Sequence, residues 1–328
     1  MALPGISSTP SWRVRLAQLG GLHGVHPIHG AGILRVRGEA GLAVQALYEL
    51  LEREPHHIDG LNTIIAILSS LGRREEVREL RRRILELRCA ALGLEEHERP
   101  AAVAYFEAAI GAVPPPRRMP ACLVRTTFDQ LSEGYDVRMR QWLGYRAPEL
   151  VHEAVLATAD GRTHGLEVLE LGCGTGLLAP LLRTSAARLV GVDLSAGMLR
   201  RISDPDIYDE LQTAEIVAWL EANRRRFELV VAADVLCYFG DLASLVELVA
   251  SRLASRGRFV FTVERSEEVE VDLCPTERYA HSEGHLRRVA AASKLEVRYL
   301  VRRALRAQHG RPVEGFVVVL QRPQVAKA

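Results

Sequence analysis

The sequence predicts an α/β protein: a doubly wound, mostly parallel sheet of about seven strands, preceded by a small α-helical, repeat-like domain. Three observations predict it. From residue 127 onward, short apolar strand-like runs alternate with helix-like segments. A glycine loop, Gly172-Cys173-Gly174-Thr175-Gly176, follows one of those strands directly and leads into a helix. Before residue 112 the periodicity is helical only, with Gly38 and Gly72 standing 34 residues apart, each just ahead of a charged amphipathic segment.

Taken in order, residues 1–30 are rich in Gly, Pro and Ser and are expected to be poorly ordered. Residues 31–112 form the expected helical domain. Leu42, Ala46, Leu47, Leu50 and Leu51 recur at helix spacing, as do Leu61, Ile64, Ile65 and Leu68, with Pro55 between the two runs. Ala43 and Val77, then Leu50 and Ile84, repeat the glycine offset, which matches a helix–turn–helix tetratricopeptide repeat; Leu47 against Arg81 breaks it. Two repeats are fewer than the roughly three a free-standing array needs, so Leu61, Ile64 and Leu68 are expected to seek a partner surface. Residues 113–126 are the linker, with four prolines among Val113-Pro114-Pro115-Pro116-Arg117-Arg118-Met119-Pro120 that cannot continue a helix. In the C-terminal domain, 127–328, helices are expected at 127–143, 148–157 and 242–255, and from Leu177 and Ala196. Strands are expected at 166–171, 188–193, 227–233 and 257–263, with a late antiparallel pair at 295–301 and 315–320.

Composition narrows the function. With 328 residues, 48% hydrophobic and 25% charged, the chain has the material for two packed domains. A net charge of +1 provides no global field for nucleic acid or an anionic membrane, and no aromatic-and-basic platform for nucleic acid is evident. The arginine runs at 81–83 and 224–226 read as solvated helix faces. Cys89, Cys122, Cys173, Cys237 and Cys274 include no CxxC pair, so neither a disulfide framework nor a zinc site is expected. His23, His26 and His29, with His56-His57 further on, lack partnering carboxylates or thiols, and no metal is expected there. No apolar run approaches the roughly 18–20 residues of a membrane span, and no secretory leader is visible; a cytoplasmic protein is expected.

The chemistry concentrates around the glycine loop. Glycines let the backbone turn sharply and approach a ligand closely, and strand ends in such sheets are where small molecules bind. The spacing is GxGxG, unlike the GxGxxG of pyrophosphate-binding dinucleotide folds. Asp193 ends the next strand, where its carboxylate can accept hydrogen bonds from two ribose hydroxyls.

The stretch Leu169-Glu170-Leu171-Gly172-Cys173-Gly174-Thr175-Gly176 resembles the first motif of class I S-adenosylmethionine (SAM) dependent methyltransferases, and Gly191-Val192-Asp193-Leu194-Ser195-Ala196-Gly197-Met198-Leu199 resembles the second. The resemblance sharpens to a bacterial group of methyltransferases with N-terminal tetratricopeptide repeats, on Phe128-Asp129 and Tyr135-Asp136, Ala232-Ala233-Asp234-Val235-Leu236-Cys237-Tyr238 and Arg278-Tyr279-Ala280-His281-Ser282. Ser255-Arg256-Gly257 stands where that pattern has a double glycine. The resemblance implies a Rossmann-like fold and SAM as cofactor. Gly172, Gly174 and Gly176 would face its methionine part, with Glu170 and Cys173 beside them. Asp193 would take the ribose, Leu194 and Met198 the adenine ring, and Glu215 the adenine amino group. Tyr135 and Tyr145 would lie over the cofactor.

Methyl transfer needs an in-line approach in a water-poor site, and a base where the acceptor starts as a hydroxyl. Asp234 and Tyr238, after a strand end, are candidates, Asp234 also as a cofactor contact. Tyr279 and His281 are two apart, so in an extended segment they share a face; His281 has the intrinsic pKa of a base. The expected function is therefore metal-independent methyl transfer from SAM to oxygen, nitrogen or carbon of a small molecule. The alternative is a protein methyltransferase that uses the helical repeats to hold a protein partner.

Overall fold

The computed structural model describes residues 11–18, 25–308 and 311–324. His23 and most of the expected disordered N-terminus lie outside the described residues. The chain divides into two compact units between Gly93 and Leu94.

The first unit is helical: α1 (Trp12–Gln18), α2 (Pro27–Val36), α3 (Ala40–Arg53), α4 (Ile58–Ser70) and α5 (Arg74–Ala91). Within the segment expected to be poorly ordered, residues 12–18 and 27–30 are thus helical. Trp12 and Leu16 supply the reason: both are buried, and the Trp12 indole donates to Glu49 at 2.6 Å. Gly30 allows the close approach, since a Cβ there would lie 2.8 Å from the Trp12 ring. Gly38 and Gly72 both take left-handed φ angles, +79° and +71°, in the turns before α3 and α5. Leu47 is buried because α3 lies between α2 and α4; Arg81 is exposed because α5 is an outer helix. Leu61, Ile64 and Leu68, expected to need an outside partner, are buried in a core shared with Leu34, Leu47 and Leu50 of the same unit.

The second unit opens with α6 (Arg99–Ala109), which the sequence placed in the N-terminal domain. The Tyr105 hydroxyl donates to the Glu277 carbonyl at 2.8 Å, and its ring meets Tyr279 edge-on at 6.2 Å. Helices α7 (Ala121–Leu131) and α8 (Tyr135–Val137) follow, and α8 runs on into a π-helical turn, Arg138–Trp142. The remaining helices are α9 (Ala147–Ala157), α10 (Ala179–Arg183), α11 (Ala196–Leu199), α12 (Ile216–Ala222), α13 (Leu242–Arg252) and α14 (Glu283–Ala292).

Strands β1 (Leu166–Leu171), β2 (Ala186–Asp193), β3 (Glu210–Thr213), β4 (Phe227–Ala232) and β5 (Leu253–Arg265) form a parallel block in the order β3-β2-β1-β4-β5. Against β5 lies antiparallel β9 (Arg311–Gln321), itself paired antiparallel with β8 (Glu296–Gln308). Six of these seven strands were placed by the sequence; β3 was not. A short hairpin was not anticipated: β6 (Val271–Leu273) and β7 (Tyr279–His281). Glu264 on β5 pairs with Ala280 of β7 and with Gly315 of β9, so β7 lies on the β4 side of β5, beyond the end of β4.

Strand residues alternate between two cores, which is what winding helices on both faces requires. Leu169, Val230 and Phe261 pack with Leu220, Val246 and Leu286 of α12–α14. Val168, Leu229 and Val260 pack with Val151 and Leu182 of α9 and α10.

Candidate functional site

The carboxyl ends of β1, β2, β3 and β4 open into one pocket of the second unit. One wall is made by the glycine loop. At Gly172 φ is +67°, and a Cβ would lie 2.4 Å from Val235 Cγ2, so glycine alone fits. Gly172 N donates to the Val192 carbonyl at 2.7 Å, which ties the loop to β2. Asp193 then accepts from Gly174 N and from Ser195 N, both at 2.8 Å, through different oxygens. A carboxylate has about four acceptor positions, so roughly two remain for a ligand. Burial pushes the Asp193 carboxyl up from its ordinary value against those hydrogen bonds. Glu170, wholly buried behind the loop, is pushed up to about 8 by burial; the Tyr208 hydroxyl, donating at 2.8 Å, pulls the other way, and nearby Asp193 adds to the rise.

Two aspartates fasten α7 and α8 to this wall. Asp129 Oδ1 accepts from Ser195 Oγ at 2.6 Å and from Gly197 N at 2.8 Å. Asp136 accepts from Thr175 Oγ1 at 2.5 Å. Their aromatic neighbours, Phe128 and Tyr135, line the pocket with ring centroids 6.3 Å apart, and Phe128 meets Tyr238 edge-on at 5.7 Å. Burial raises the phenols of Tyr135, Tyr145 and Tyr238 above their ordinary value.

A second wall is charged. Asp234 follows β4 in a left-handed conformation, φ +57°, with its amide donating to Thr262 Oγ1 at 2.8 Å. Its carboxylate accepts from Arg278 Nη1 at 3.1 Å and from Arg306 Nη1 at 3.0 Å. Arg306 Nη2 reaches on to Glu264. Asp234, Glu264 and Arg306 side chains are at most 9% exposed, so two buried anions are balanced by two cations. Asp234, Cys237 and Glu264 come close enough to hold a metal ion. Both carboxylates are already taken by guanidinium groups, however, and burial pushes the Cys237 thiol up, away from the thiolate a metal would need.

Of the residues expected to hold the cofactor, Tyr135, Tyr145, Glu170, Gly172, Cys173, Gly174, Asp193, Leu194, Met198, Glu215 and Asp234 all line this pocket. Gly176 does not: its Cβ position faces Ile202 and Tyr208 at 3.5 Å, under the loop. Glu215 caps α12, accepting from Ala218 N at 2.9 Å while Arg118 donates to its other oxygen at 2.9 Å.

The catalytic expectations need correction. Tyr279 and His281 share a face of β7, as their spacing implies, but neither lines the pocket. The Tyr279 hydroxyl donates to the Pro116 carbonyl at 2.6 Å, with its ring against Gly240. His281 is fully buried; Nε2 donates to the Phe239 carbonyl at 2.9 Å, and burial together with stacked His285 pushes its pKa down to about 3. It is a packing residue. Asp234 does line the pocket, but its oxygens are occupied by Arg278 and Arg306, which leaves it poorly placed as a base. The residue that sequence reasoning passed over is Arg278, one position before Tyr279. It faces the pocket, with its guanidinium 5.2 Å from the Tyr238 ring. Period-two alternation, applied with the other parity, would have found it.

A family model for a methyltransferase domain matches residues 139–310, just over half of the chain. Among curated proteins, methyltransferase-like protein 27 of Homo sapiens is 36% identical over 85 residues, which cover 26% of this chain and 34% of that one. The ubiquinone biosynthesis O-methyltransferase of Paracidovorax citrulli is 31% identical over 111 residues, covering 31% and 45%. The chain thus spans 34% to 45% of the length of these relatives. Among solved structures, magnesium protoporphyrin IX methyltransferase from Synechocystis PCC 6803 with bound SAH aligns with a TM-score of 0.47 at 19% identity, over 62% of this chain and 99% of that one.

Proposed function

This chain belongs to the methyltransferase-domain family, and from that premise we propose that it transfers a methyl group from S-adenosylmethionine to a small-molecule acceptor, without a metal. The observation that carries the reading is the wall built by Gly172, Gly174 and Asp193, which supports a ligand bearing a vicinal diol. In this reading Asp193 holds the ribose. Gly172, Cys173 and Gly174, backed by Glu170, cradle the methionine part; Leu194 and Met198 flank the adenine, with Glu215 near its amino group; Tyr135 and Tyr145 cover the cofactor. The bound cofactor supplies a methyl group on a sulfonium, whose departure asks for no Lewis acid. Phe128, Tyr135, Tyr145 and Tyr238 keep water from the acceptor side, which strengthens every charge interaction inside.

A small acceptor is supported by the aromatic lining of the pocket and by the name of the ubiquinone biosynthesis relative. We read α2–α5 as a degenerate pair of tetratricopeptide-like repeats, supported by the matched turns at Gly38 and Gly72. None of the five cysteines is in a disulfide, which is compatible with a reducing, cytoplasmic setting. No described helix is long and apolar enough to cross a membrane. Calorimetry with S-adenosylhomocysteine tests the central claim. Binding to the native chain, weakened in Asp193→Ala, is expected; no binding to the native chain overturns it.

A further inference from the structure

We propose that the acceptor is a carboxylic acid, bound as its carboxylate by Arg278 and methylated on a carboxylate oxygen. This rests on the methyl-transfer reading above and names its substrate class.

The first ground is the way Arg278 is held. Its hydrogen bonds to Asp234, Cys237 and Glu264 all run from Nη1, and Nε and Nη2 have no protein partner among the described residues. Arg306 bridges the two carboxylates with both terminal nitrogens, while Arg278 completes neutrality with one. Its side chain keeps 21% exposure and lines the pocket, steadied over the Tyr238 ring. An arginine fork immobilised at one corner, on a residue that lines a cavity and with donors to spare, suits a planar carboxylate.

The second ground is the set of groups that share the cavity. Among the described residues no histidine lines it. Asp234 is held by Arg278 and Arg306; Asp193 is committed to two backbone amides and, in the reading above, to the ribose; Glu215 caps α12 and pairs with Arg118; Glu170 accepts from the Tyr208 hydroxyl. The three lining phenols are held in their neutral form by burial. A hydroxyl acceptor would therefore find no base. An amine would arrive as an ammonium and face Arg278. A carboxylate is already ionised at neutral pH, its ordinary pKa being about 4, and needs no proton removed. One of its oxygens forms the new O–C bond with a lone pair, while the donor's S–C bond breaks and leaves its electron pair on sulfur. The products are a neutral methyl ester and a neutral thioether, and no proton changes hands.

The native chain would be incubated with methyl-tritiated S-adenosylmethionine and, separately, benzoate, decanoate, adipate, benzyl alcohol and benzylamine. Label is expected only with the acids, in a form that alkali releases as methanol. Calorimetry of the same acids into the S-adenosylhomocysteine complex gives a readout independent of turnover. Arg278→Gln should raise the acid's KM, or weaken its binding, by about tenfold or more. Arg278→Lys should recover part of the loss, and S-adenosylhomocysteine affinity and Tm report whether either variant is folded. Alkali-stable label, transfer to the alcohol or amine, acids that neither bind nor react, or an unchanged KM in a folded Arg278→Gln each overturn the proposal. If S-adenosylhomocysteine itself does not bind the native chain, it is the underlying methyl-transfer reading that fails.

Discussion

The two walls of the pocket are built from different material. The wall around Gly172–Asp193 is made of backbone: a tight turn, amides aimed inward, and one carboxylate that receives two of them. The wall around Asp234 is made of long charged side chains, with Arg278 and Arg306 lying 44 and 72 residues away in sequence. The first is stiff because peptide geometry is stiff. The second is stiff because four charges cancel, three of them buried and Arg278 partly so, and removing any one of them unbalances the others. A backbone wall comes with the fold and recognises what does not vary. A side-chain wall can change its specificity by substitution, at the cost of a balance that must be restored.

Four substitutions probe that contrast, from the largest expected effect to the smallest. Asp234→Ala leaves buried Arg306 and partly buried Arg278 facing one carboxylate and should cost about 3–5 kcal/mol of stability, read by denaturant unfolding. An unchanged midpoint would mean that the charged wall is not a coupled unit. Asp193→Ala should weaken S-adenosylhomocysteine by about 2–3 kcal/mol while shifting Tm less than Asp234→Ala does. Tyr208→Phe strips the donor from Glu170 and should cost about 1–3 kcal/mol. Glu170 itself is raised to about 8 from its usual 4.5, so the folded state holds an extra proton between those values, and its contribution to stability falls as pH rises through that window. Tyr208→Phe should move the upper edge of the window higher still, which a series of pH-dependent melts would reveal. His281→Gln should leave kcat/KM within about twofold of the native value; a loss of tenfold would return His281 to the chemistry. Its effect lies in acid. With a folded pKa near 3 against an ordinary 6.5, the unfolded chain binds the extra proton, so stability falls as pH drops from about 6.5 toward 3, by at most about 1.4 kcal/mol per pH unit. The glutamine variant should lack that slope.

The same contrast explains what could be read from the sequence. Gly172, Gly174 and Asp193 act through their own backbone and nearest neighbours, so a contiguous motif carries their geometry. The strands β1, β2 and β4 were legible because they are buried on both faces and read as apolar runs. The far half of β8 was not, since Arg302, Arg303 and Arg306 break the apolar pattern although Arg306 is buried. Arg278, Tyr279 and His281 were picked out together as a segment. Which of them faces the pocket depends on how β7 pairs with β5, a long-range register that three residues of sequence do not carry. Arg256, standing where a double glycine was expected, takes φ +60° all the same, a conformation that costs a non-glycine residue about 1 kcal/mol or more.

The fastening of α7 and α8 has a kinetic consequence. Asp129 and Asp136 each bond a different loop of the glycine wall, and Leu123 is the one buried residue of α7 among those described. Arg125 of α7 adds an ion pair to Glu98 at 2.8 Å, and Phe128 rests edge-on against Tyr238. The same segment lines the pocket, so a ligand bound there leaves at a rate that these contacts help to set, and loosening Asp129 or Asp136 should speed its release.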